Sequence, residues 1–324
     1  MAGPSSTGLE GQNPILHSTR GGGLLPRQLS GFIFEDAERQ SAIMQRAGRE
    51  DLPMEGVSVP VITGRPTAGW VAEGNRKPLS NASVGVKVMD PVKLSTIVPF
   101  SEEWLRTDSV NLFERLRPLI AEAFAYAFDT ATLLGVNTPF DNHLAETTNE
   151  VVLGTAAQAD GGIYQDFVSA IGAVLNSSSP GRRNRITGWV VDDIIEPVLL
   201  GATDTQGRPL MVAGTDGGVG STLIGRPWAD TDALYSEAEA GPDTITAVEE
   251  VIAIGGDFRR AKWGAGGSIE YRLLDQATLA QSDGTLLHLA QENLAALRAE
   301  AWYGWVVENP QAFVRVKAED GGTT

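Results

Sequence analysis

Alternating side chains between residues 57 and 99 constrain the fold more than any other feature of this sequence. The stretches 57–63, 84–88 and 92–98 place apolar or β-branched side chains at every second position, which is the period of a β-strand. Pro60 restricts the first stretch to an edge strand or a bulge. We therefore predict that 57–99 forms a long two-stranded ribbon with a loose tip.

A ribbon of this kind cannot bury its own faces. An isolated two-stranded ribbon is only marginally stable in water. Trp70 is the one aromatic residue within 57–99, so the ribbon has no aromatic cluster to cover it. It must therefore be supported by another surface, and a second subunit is one candidate.

A long helical pattern follows the predicted ribbon. Apolar and small side chains recur at helical spacing from 112 to 134, which corresponds to a rod of about 35 Å. Asn111 and Glu114 resemble a capping box at its start, and Gly135 is typical of its end. Pro118 is expected to kink or weaken the first turns.

The middle of the chain alternates helical and strand-like patterns. The helical stretches are 165–175 and 192–200, and the strand-like stretches are 186–191, 244–255 and 268–274. This alternation predicts a compact α/β unit. Near the C-terminus, 287–301 has helical spacing and 312–317 is typical of a strand.

Composition excludes several classes of function. The chain has 25 Lys and Arg against 41 Asp and Glu, a net charge of −16, whereas proteins that bind nucleic acid phosphates are usually basic. It has no cysteine, which excludes disulfides, thiolate metal sites and cysteine nucleophiles. No apolar run approaches the roughly 20 residues that cross a bilayer. Residues 1–31 are rich in Gly, Ser and Pro without periodicity, which predicts an extended N-terminal arm.

No stretch predicts an active site. The glycine-rich segment 214–222 lacks the lysine of a phosphate-binding loop. Asp192 and Asp193 suit a helix start or turn better than acid–base chemistry. The three histidines are too far apart in sequence for metal-ligand spacing. We therefore expect neither a cofactor nor a metal.

Short motifs in a fixed order extend along most of the chain. They are WVAEGNRKPLS (70–80), SEEWL (101–105), GRPL (207–210), LIGRP (223–227), GDF (256–258), LRAE (297–300) and NPQAF (309–313). In this order, over about residues 30–317, the chain resembles the major capsid proteins of tailed bacteriophages, which have the Hong Kong 97-type fold.

The resemblance implies an α+β fold with an N-terminal arm, an extended β-ribbon loop, a peripheral domain with a long spine helix, and an α/β axial domain. The implied parts are 1–31 (N-terminal arm), 32–162 (first part of the peripheral domain, with 57–99 as extended loop and 112–134 as spine helix), 163–265 (axial domain) and 266–324 (peripheral return and C-terminus). Helical spacing and resemblance conflict after residue 294. There we follow the resemblance and expect 294–307 to be extended.

The implied function is structural. Such proteins self-assemble as pentamers and hexamers into an icosahedral shell that encloses double-stranded DNA without sequence-specific binding. The implied location is the virion capsid, assembled in the host cytoplasm without a membrane. A separate scaffold protein, a portal and a decoration protein are the implied partners. Two alternatives remain open, an encapsulin-type nanocompartment shell that holds an enzyme cargo and a soluble α/β hydrolase.

The resemblance also points to residues at subunit contacts. Residues near the ribbon tip, Trp70, Glu73, Lys77 and Pro78, are expected to contact a neighbouring subunit.

A covalent link between subunits is a further implication. Some members join subunits by a Lys–Asn isopeptide bond that a Glu assists, and Lys77, Asn293 and Glu300 lie at the matching positions. A desolvated lysine can lose its proton and attack the asparagine carbonyl while the carboxylate takes a proton.

Overall fold

Two compact units, each built from separated stretches of sequence, make up the fold. The computed structural model describes residues 37–62, 66, 68–77, 79–80, 84–107, 109–157, 160–177, 183–203, 207, 211–212, 222–234, 251–281 and 284–318. Among these, the smaller unit comprises Lys93–Ile120 and Ser268–Ala301, and the larger unit draws on Asp36–Val92, Ala121–Gly267 and Trp302–Thr324.

The helices and strands are numbered in chain order. The α-helices are α1 (Ala42–Arg46), α2 (Glu102–Thr107), α3 (Ser109–Leu133), α4 (Ile163–Asn176) and α5 (Glu196–Gly201). The strands are β1 (Gly48–Asp51), β2 (Val57–Ile62), β3 (Val84–Met89), β4 (Val92–Ser101), β5 (Glu150–Val152), β6 (Gly188–Asp192), β7 (Met211–Val212), β8 (Thr222–Leu223), β9 (Arg226–Thr231), β10 (Val251–Gly256), β11 (Ala261–Leu274), β12 (Thr278–Ala280), β13 (Leu286–His288), β14 (Leu294–Val307) and β15 (Phe313–Lys317). None of the described helices is long and apolar enough to cross a membrane.

A seven-stranded sheet lies in the larger unit, with strand order β5-β15-β10-β6-β9-β8-β7. Strand β10 is antiparallel to both β15 and β6, and β6 pairs in parallel with β9. Every residue of β6 and β10 is buried, as expected for apolar strands covered on both faces. The region thus mixes helices with strands, and its sheet also includes β5 and β15 from outside the stretch 163–265.

Helix α4 belongs to the core of this sheet through one apolar stripe. Phe167, Ala170 and Val174 are fully buried at spacings of three and four residues, which place them on one helix face. The Phe167 ring meets the Trp189 ring of β6 edge-on, with centroids 5.2 Å apart. The helical spacing predicted at 165–175 is thus confirmed, and its apolar face is the reason that the helix forms here.

Gly255 in β10 leaves the space that the Trp189 ring fills. A Cβ at Gly255 would lie 2.3 Å from Cζ3 of Trp189, whose side chain is fully buried. We expect Gly255→Ala to lower the free energy of unfolding by about 1–3 kcal/mol, because the indole must shift within a close-packed core. Guanidinium denaturation of unassembled protein measures this loss.

The matched control is Gly172→Ala in α4, where an added Cβ meets nothing within 4 Å. It should be neutral or stabilising, because glycine is a poor helix former. Equal destabilisation by the two substitutions would contradict the packing argument.

The C-terminal half of α3 contributes Phe128 to a second core in the larger unit. Around it lie the rings of Phe140, Trp263, Tyr303 and Trp305, with centroids between 5.3 and 6.5 Å from that of Phe128. These edge-on and tilted contacts are the favoured geometry for aromatic pairs. They fix the helix, the end of β14 and the loop after α3 to one another.

The ribbon predicted at 57–99 is confirmed for its first two strands only. Strands β2 and β3 pair in antiparallel register, with Val57 opposite Met89 and Ile62 opposite Val84. Strand β4 leaves the ribbon after the turn at Asp90 and has β14 as its neighbour. The prediction that 92–99 continues the ribbon is therefore wrong, because an alternating pattern identifies a strand but not its partner.

The smaller unit contains β4 beside the first part of β14, together with the antiparallel pair β12–β13. The prediction of a helix over 287–301 is wrong. The extended conformation expected for 294–307 is confirmed by β14. Ala and Leu dominate this stretch, so the same residues satisfy a helical stripe and a strand that is buried on both faces. The neighbouring strands decide between the two.

Helix α3 begins three residues earlier than the sequence pattern suggests. Because it starts at Ser109, Asn111 lies inside the helix and cannot be its N-cap, which corrects the predicted capping box. The helix continues through Pro118, which therefore does not end it. Gly135 follows the last turn with a φ of 78°, the conformation expected of a glycine after a helix.

Candidate functional site

The segment between β2 and β3 carries the most exposed aromatic side chain of the described residues. Trp70 has a relative exposure of 107%, and Glu73 and Lys77 are exposed as well. A turn at Gly74, with a φ of 84°, separates these side chains, and the Asn75 amide donates to the Ala72 carbonyl across 3.1 Å. Soluble proteins seldom leave a tryptophan fully in water, so this tip has the character of a contact surface. The fourth predicted contact residue, at position 78, lies outside the described residues.

The two faces of the β2–β3 ribbon differ sharply in burial. One face buries Val59 and Met89 against Leu52 and Val306. The opposite face carries Ser58 together with Pro60, Val84, Val86 and Val88, and we call these last four residues the valine face. Its three valines are 57–64% exposed.

The valine face is apolar surface that the subunit leaves in water. Burial of such surface is favourable by about 25 cal/mol for each Å². The structure therefore agrees with the sequence prediction that the ribbon needs another surface to cover it, because this face is not covered within the subunit.

Glu300, proposed to assist a cross-link, is held by two cations of its own unit. Its Oε1 lies 3.1 Å from Nζ of Lys93, and its Oε2 lies 3.3 Å from Nη2 of Arg298. The Glu300 side chain retains 14% of its exposure. Both carboxylate oxygens are therefore occupied, and a proton transfer through Glu300 requires that one ion pair opens.

Asn293 is exposed in the turn that precedes β14. It has a φ of 54°, which is uncommon for a residue other than glycine, and its carbonyl accepts a hydrogen bond from the Glu102 amide across 3.0 Å. Glu300 follows seven residues later along β14, a separation of about 23 Å in an extended chain. One chain therefore does not bring the two side chains together.

Similarity to known proteins decides the family. The model of the Phage capsid family matches residues 21–318, which is most of the chain. The chain belongs to the phage capsid family. It is a major capsid protein, a structural component of a virion rather than an enzyme, so the nanocompartment and hydrolase alternatives are set aside.

Individual relatives agree with this assignment. The capsid protein is 33% identical over 308 residues to the probable major capsid protein gp17 of Mycobacterium phage L5, covering 92% of this chain and 90% of that protein. A solved structure from Mycobacterium phage Ogopogo has a TM-score of 0.65 at 22% identity and covers 86% of this chain and 92% of that chain. The solved capsid of an empty GTA particle has a TM-score of 0.57 at 17% identity, and the match covers 86% of this chain and 89% of that chain.

A buried carboxylate in the capsid protein joins two distant segments. Asp129, near the end of α3, accepts hydrogen bonds from the Ser41 hydroxyl at 2.5 Å and from the backbone amides of Ala42 at 2.8 Å and Ile43 at 3.4 Å. It therefore adds to the local N-cap of α1, where the Ser41 hydroxyl accepts a hydrogen bond from the Met44 amide across 3.1 Å. Burial raises the pKa of Asp129 to about 7 despite these hydrogen bonds, and the charge of Asp232 adds to the rise.

The carboxylates around Asp193 also affect one another. Burial, together with the charges of Asp230, Asp192, Asp232 and Glu196, raises the pKa of Asp193 to about 6. Asp192 accepts a hydrogen bond from the Ile194 amide across 3.1 Å, which confirms its predicted role at a helix start. Within the described residues, no group of three or more His, Asp or Glu has a geometry that could hold a metal.

The sequence did not reveal the role of Asp129. An aspartate inside an apolar helical run carries no local sign of a partner, and Ser41 lies 88 positions away. Its position on the buried side of the predicted helix was the one available signal, because a buried carboxylate needs hydrogen-bond donors.

Proposed function

We propose that the β2–β3 ribbon and its tip are the surface by which this major capsid protein contacts a neighbouring subunit in an icosahedral shell. The observation that carries the capsid function is the family match over residues 21–318. The exposure of Trp70 and of the valine face supports the assignment of the contact. Trp70, Glu73, Lys77 and Pro78 are the proposed contact residues.

The finer architecture is proposed on the resemblance to Hong Kong 97-type capsid proteins. In this proposal, 1–31 is the arm, 57–99 contains the extended loop, 112–134 is the spine helix and 163–265 is the axial domain. Pentamers and hexamers are the proposed assembly units, as the resemblance implies. A portal, a separate scaffold protein and a decoration protein are the proposed partners.

An acidic wall suits the enclosure of double-stranded DNA. With a net charge of −16, the subunit repels phosphates over most orientations and does not need to bind the genome in order to confine it. The DNA is then held by closure of the shell rather than by contacts to its backbone.

Electron microscopy of the purified chain tests the assembly function. Rings, closed shells or mixtures of the two are expected, and DNA should be present in particles from infected cells. A protein that stays monomeric over a wide concentration range, with no rings or shells, would refute assembly by this chain.

Trp70→Ala is expected to weaken assembly without affecting the fold. A tryptophan at the centre of a contact typically contributes 2 kcal/mol or more, so the concentration needed for assembly should rise by about tenfold or more. Sedimentation against protein concentration measures the shift. Leu286→Ala, which removes a side chain of 55% exposure from the β12–β13 pair, is the control and should leave the threshold unchanged.

The covalent link between Lys77 and Asn293 is a separate proposal. The Nζ of a neutral Lys77 would attack Cγ of Asn293 on another subunit, forming an amide and releasing ammonia, while Glu300 accepts and returns the proton. Boiling mature particles in detergent tests it: a ladder of multiples of 34.4 kDa supports the link, and a single 34.4 kDa band rules it out.

A further inference from the structure

A cleft of about 420 Å³ lies at the base of the β2–β3 ribbon, inside the larger unit. Apolar side chains from β3, from the loop after α3 and from β14 line it, among them Val88, Phe140 and Trp305. Its volume is at the lower end of the range for ligand pockets, which suits one or two side chains of a partner rather than a whole helix.

The apolar lining of the cleft is held in place by contacts beneath it. Phe140 and Trp305 both pack edge-on against Phe128, with ring centroids 6.1 and 6.2 Å away. The Trp305 indole nitrogen donates to the Asn142 carbonyl across 3.1 Å. Because the lining is already ordered, a partner that enters the cleft loses little free energy in ordering it.

The charges that line the cleft are negative on balance. Asp90 and Asp141 both line it, and neither takes part in an ion pair within the part of the chain that the structure describes. The lining cation is Lys87, whose Nζ donates to the Val307 carbonyl across 2.6 Å and to Oδ1 of Asn142 across 3.1 Å. A partner that matches the cleft thus combines an apolar side chain with a positive charge.

The tip of the ribbon has the complementary character. Trp70 and Leu79 are 107% and 94% exposed, so the tip presents large apolar side chains to water. Its described residues include two exposed cations, Arg76 and Lys77, and one carboxylate, Glu73, in a chain whose net charge is −16. The tip is therefore a locally basic and apolar part of an acidic protein.

The tip of a chain does not fill the cleft of the same chain. Trp70 lies in water, and none of the described tip residues lines the cleft. The tip and the cleft are different surfaces, so a contact between them on two copies is head-to-tail. Head-to-tail contacts generate rings when the rotation between copies closes, which is the arrangement that the proposed pentamers and hexamers require.

We propose that Trp70 of one subunit enters the ribbon-base cleft of a neighbouring copy of the chain. The indole lies beside Phe140 and Trp305 of that copy, and Arg76 of the entering tip lies beside Asp141. The inference rests on the proposed ribbon contact and deepens it, because it names the surface that receives the tip.

Disulfide formation between two single-cysteine chains tests the contact, because the natural sequence has no cysteine. One chain carries Ala72→Cys, which keeps Trp70, and the other carries Val88→Cys in the cleft lining. In the control mixture the second chain carries Val84→Cys, on the same exposed face of β3 but outside the lining.

The two cysteine positions on β3 are far enough apart to be distinguished. Val84 and Val88 are separated by about 13 Å along the strand, whereas a disulfide requires Cα atoms within about 7 Å, so one position of the tip cannot serve both. Under mild oxidation of co-assembled particles, we expect the disulfide between positions 72 and 88 to form about tenfold faster, or more, than that between 72 and 84.

Charge exchange tests the polar half of the contact. Arg76→Asp and Asp141→Arg should each raise the protein concentration needed for assembly by about tenfold, because each places like charges together, and a chain with both substitutions should recover. The matched control combines Arg76→Asp with Asp160→Arg, which restores the net charge at an exposed position outside the cleft lining. This control should stay impaired.

The outcomes separate the cleft contact from assembly itself. Equal disulfide rates in the two mixtures, or equal recovery with Asp141→Arg and Asp160→Arg, would overturn the contact, while wild-type shells in the same microscope grids would leave the assembly function standing. Absence of rings and shells from the wild-type chain would refute assembly, and this contact with it.

Discussion

Val84→Asp is expected to prevent shell assembly while leaving the subunit folded. Val84 is 61% exposed on the valine face, so an aspartate there costs little in the isolated chain. If a neighbouring subunit covers that face, the carboxylate loses its water without gaining a partner, at a cost of several kcal/mol per contact. Because each 1.4 kcal/mol corresponds to tenfold in an equilibrium, assembly at a given concentration should fall by at least tenfold, and in a shell the loss recurs at every contact.

Two measurements separate this effect from misfolding. Circular dichroism and guanidinium denaturation of unassembled protein should match the wild type within about 1 kcal/mol, whereas electron microscopy should show few or no shells. Leu286→Asp places the same charge on an apolar side chain of similar exposure in the smaller unit, and it serves as the matched control. Normal shells from Val84→Asp would show that the valine face stays in water after assembly.

The strands of the ribbon could be predicted from the sequence, but their surroundings could not. Period-two patterns located β2, β3 and β4, because the pleat fixes which side chains share a face. They did not show that β4 leaves β3 and lies beside β14, since any strand with a suitable apolar face can accept it. Strands β4 and β14 lie about 200 positions apart in sequence, and packing decides that they pair. A local pattern contains no information about such a distant partner.

For the proposed contact and cross-link residues, too, the sequence predicted the positions but not the surroundings. The resemblance predicted Trp70 as a subunit contact, and the structure leaves its side chain exposed to water. The ion pair of Glu300 with Lys93 was not expected, because Lys93 lies 207 positions away and nothing near Glu300 in sequence points to it. Chemistry that depends on a free carboxylate therefore could not be judged before the fold was known.

The buried cap at Asp129 should make the stability of the capsid protein depend on pH. The carboxyl has a pKa of about 7 in the folded protein, raised by burial, against an ordinary value of 3.8. Between these values the unfolded chain loses the proton while the folded chain keeps it, so rising pH favours unfolding. The contribution present at low pH is therefore lost as pH rises from about 4 through 7, and in full it is on the order of 4 kcal/mol.

Asp129→Asn isolates this contribution. The amide cannot titrate. Its NH₂ group would point at the Ser41 hydroxyl or the Ala42 amide, which donate hydrogen bonds to the carboxyl group of the wild type. Because two donors cannot pair, the variant should be less stable than the wild type at every pH. The difference should be largest near pH 5, where the wild type keeps its proton, and smallest near pH 8, where the wild type has lost the same contribution. Guanidinium denaturation of unassembled protein at pH 5, 6, 7 and 8 measures both quantities.

Asp160→Asn, at an exposed position, is the control and should give a small difference in stability that does not change with pH. A constant penalty for Asp129→Asn across this range would show that Asp129 is ionised throughout, and that the hydrogen bonds from residues 41–43 outweigh its burial.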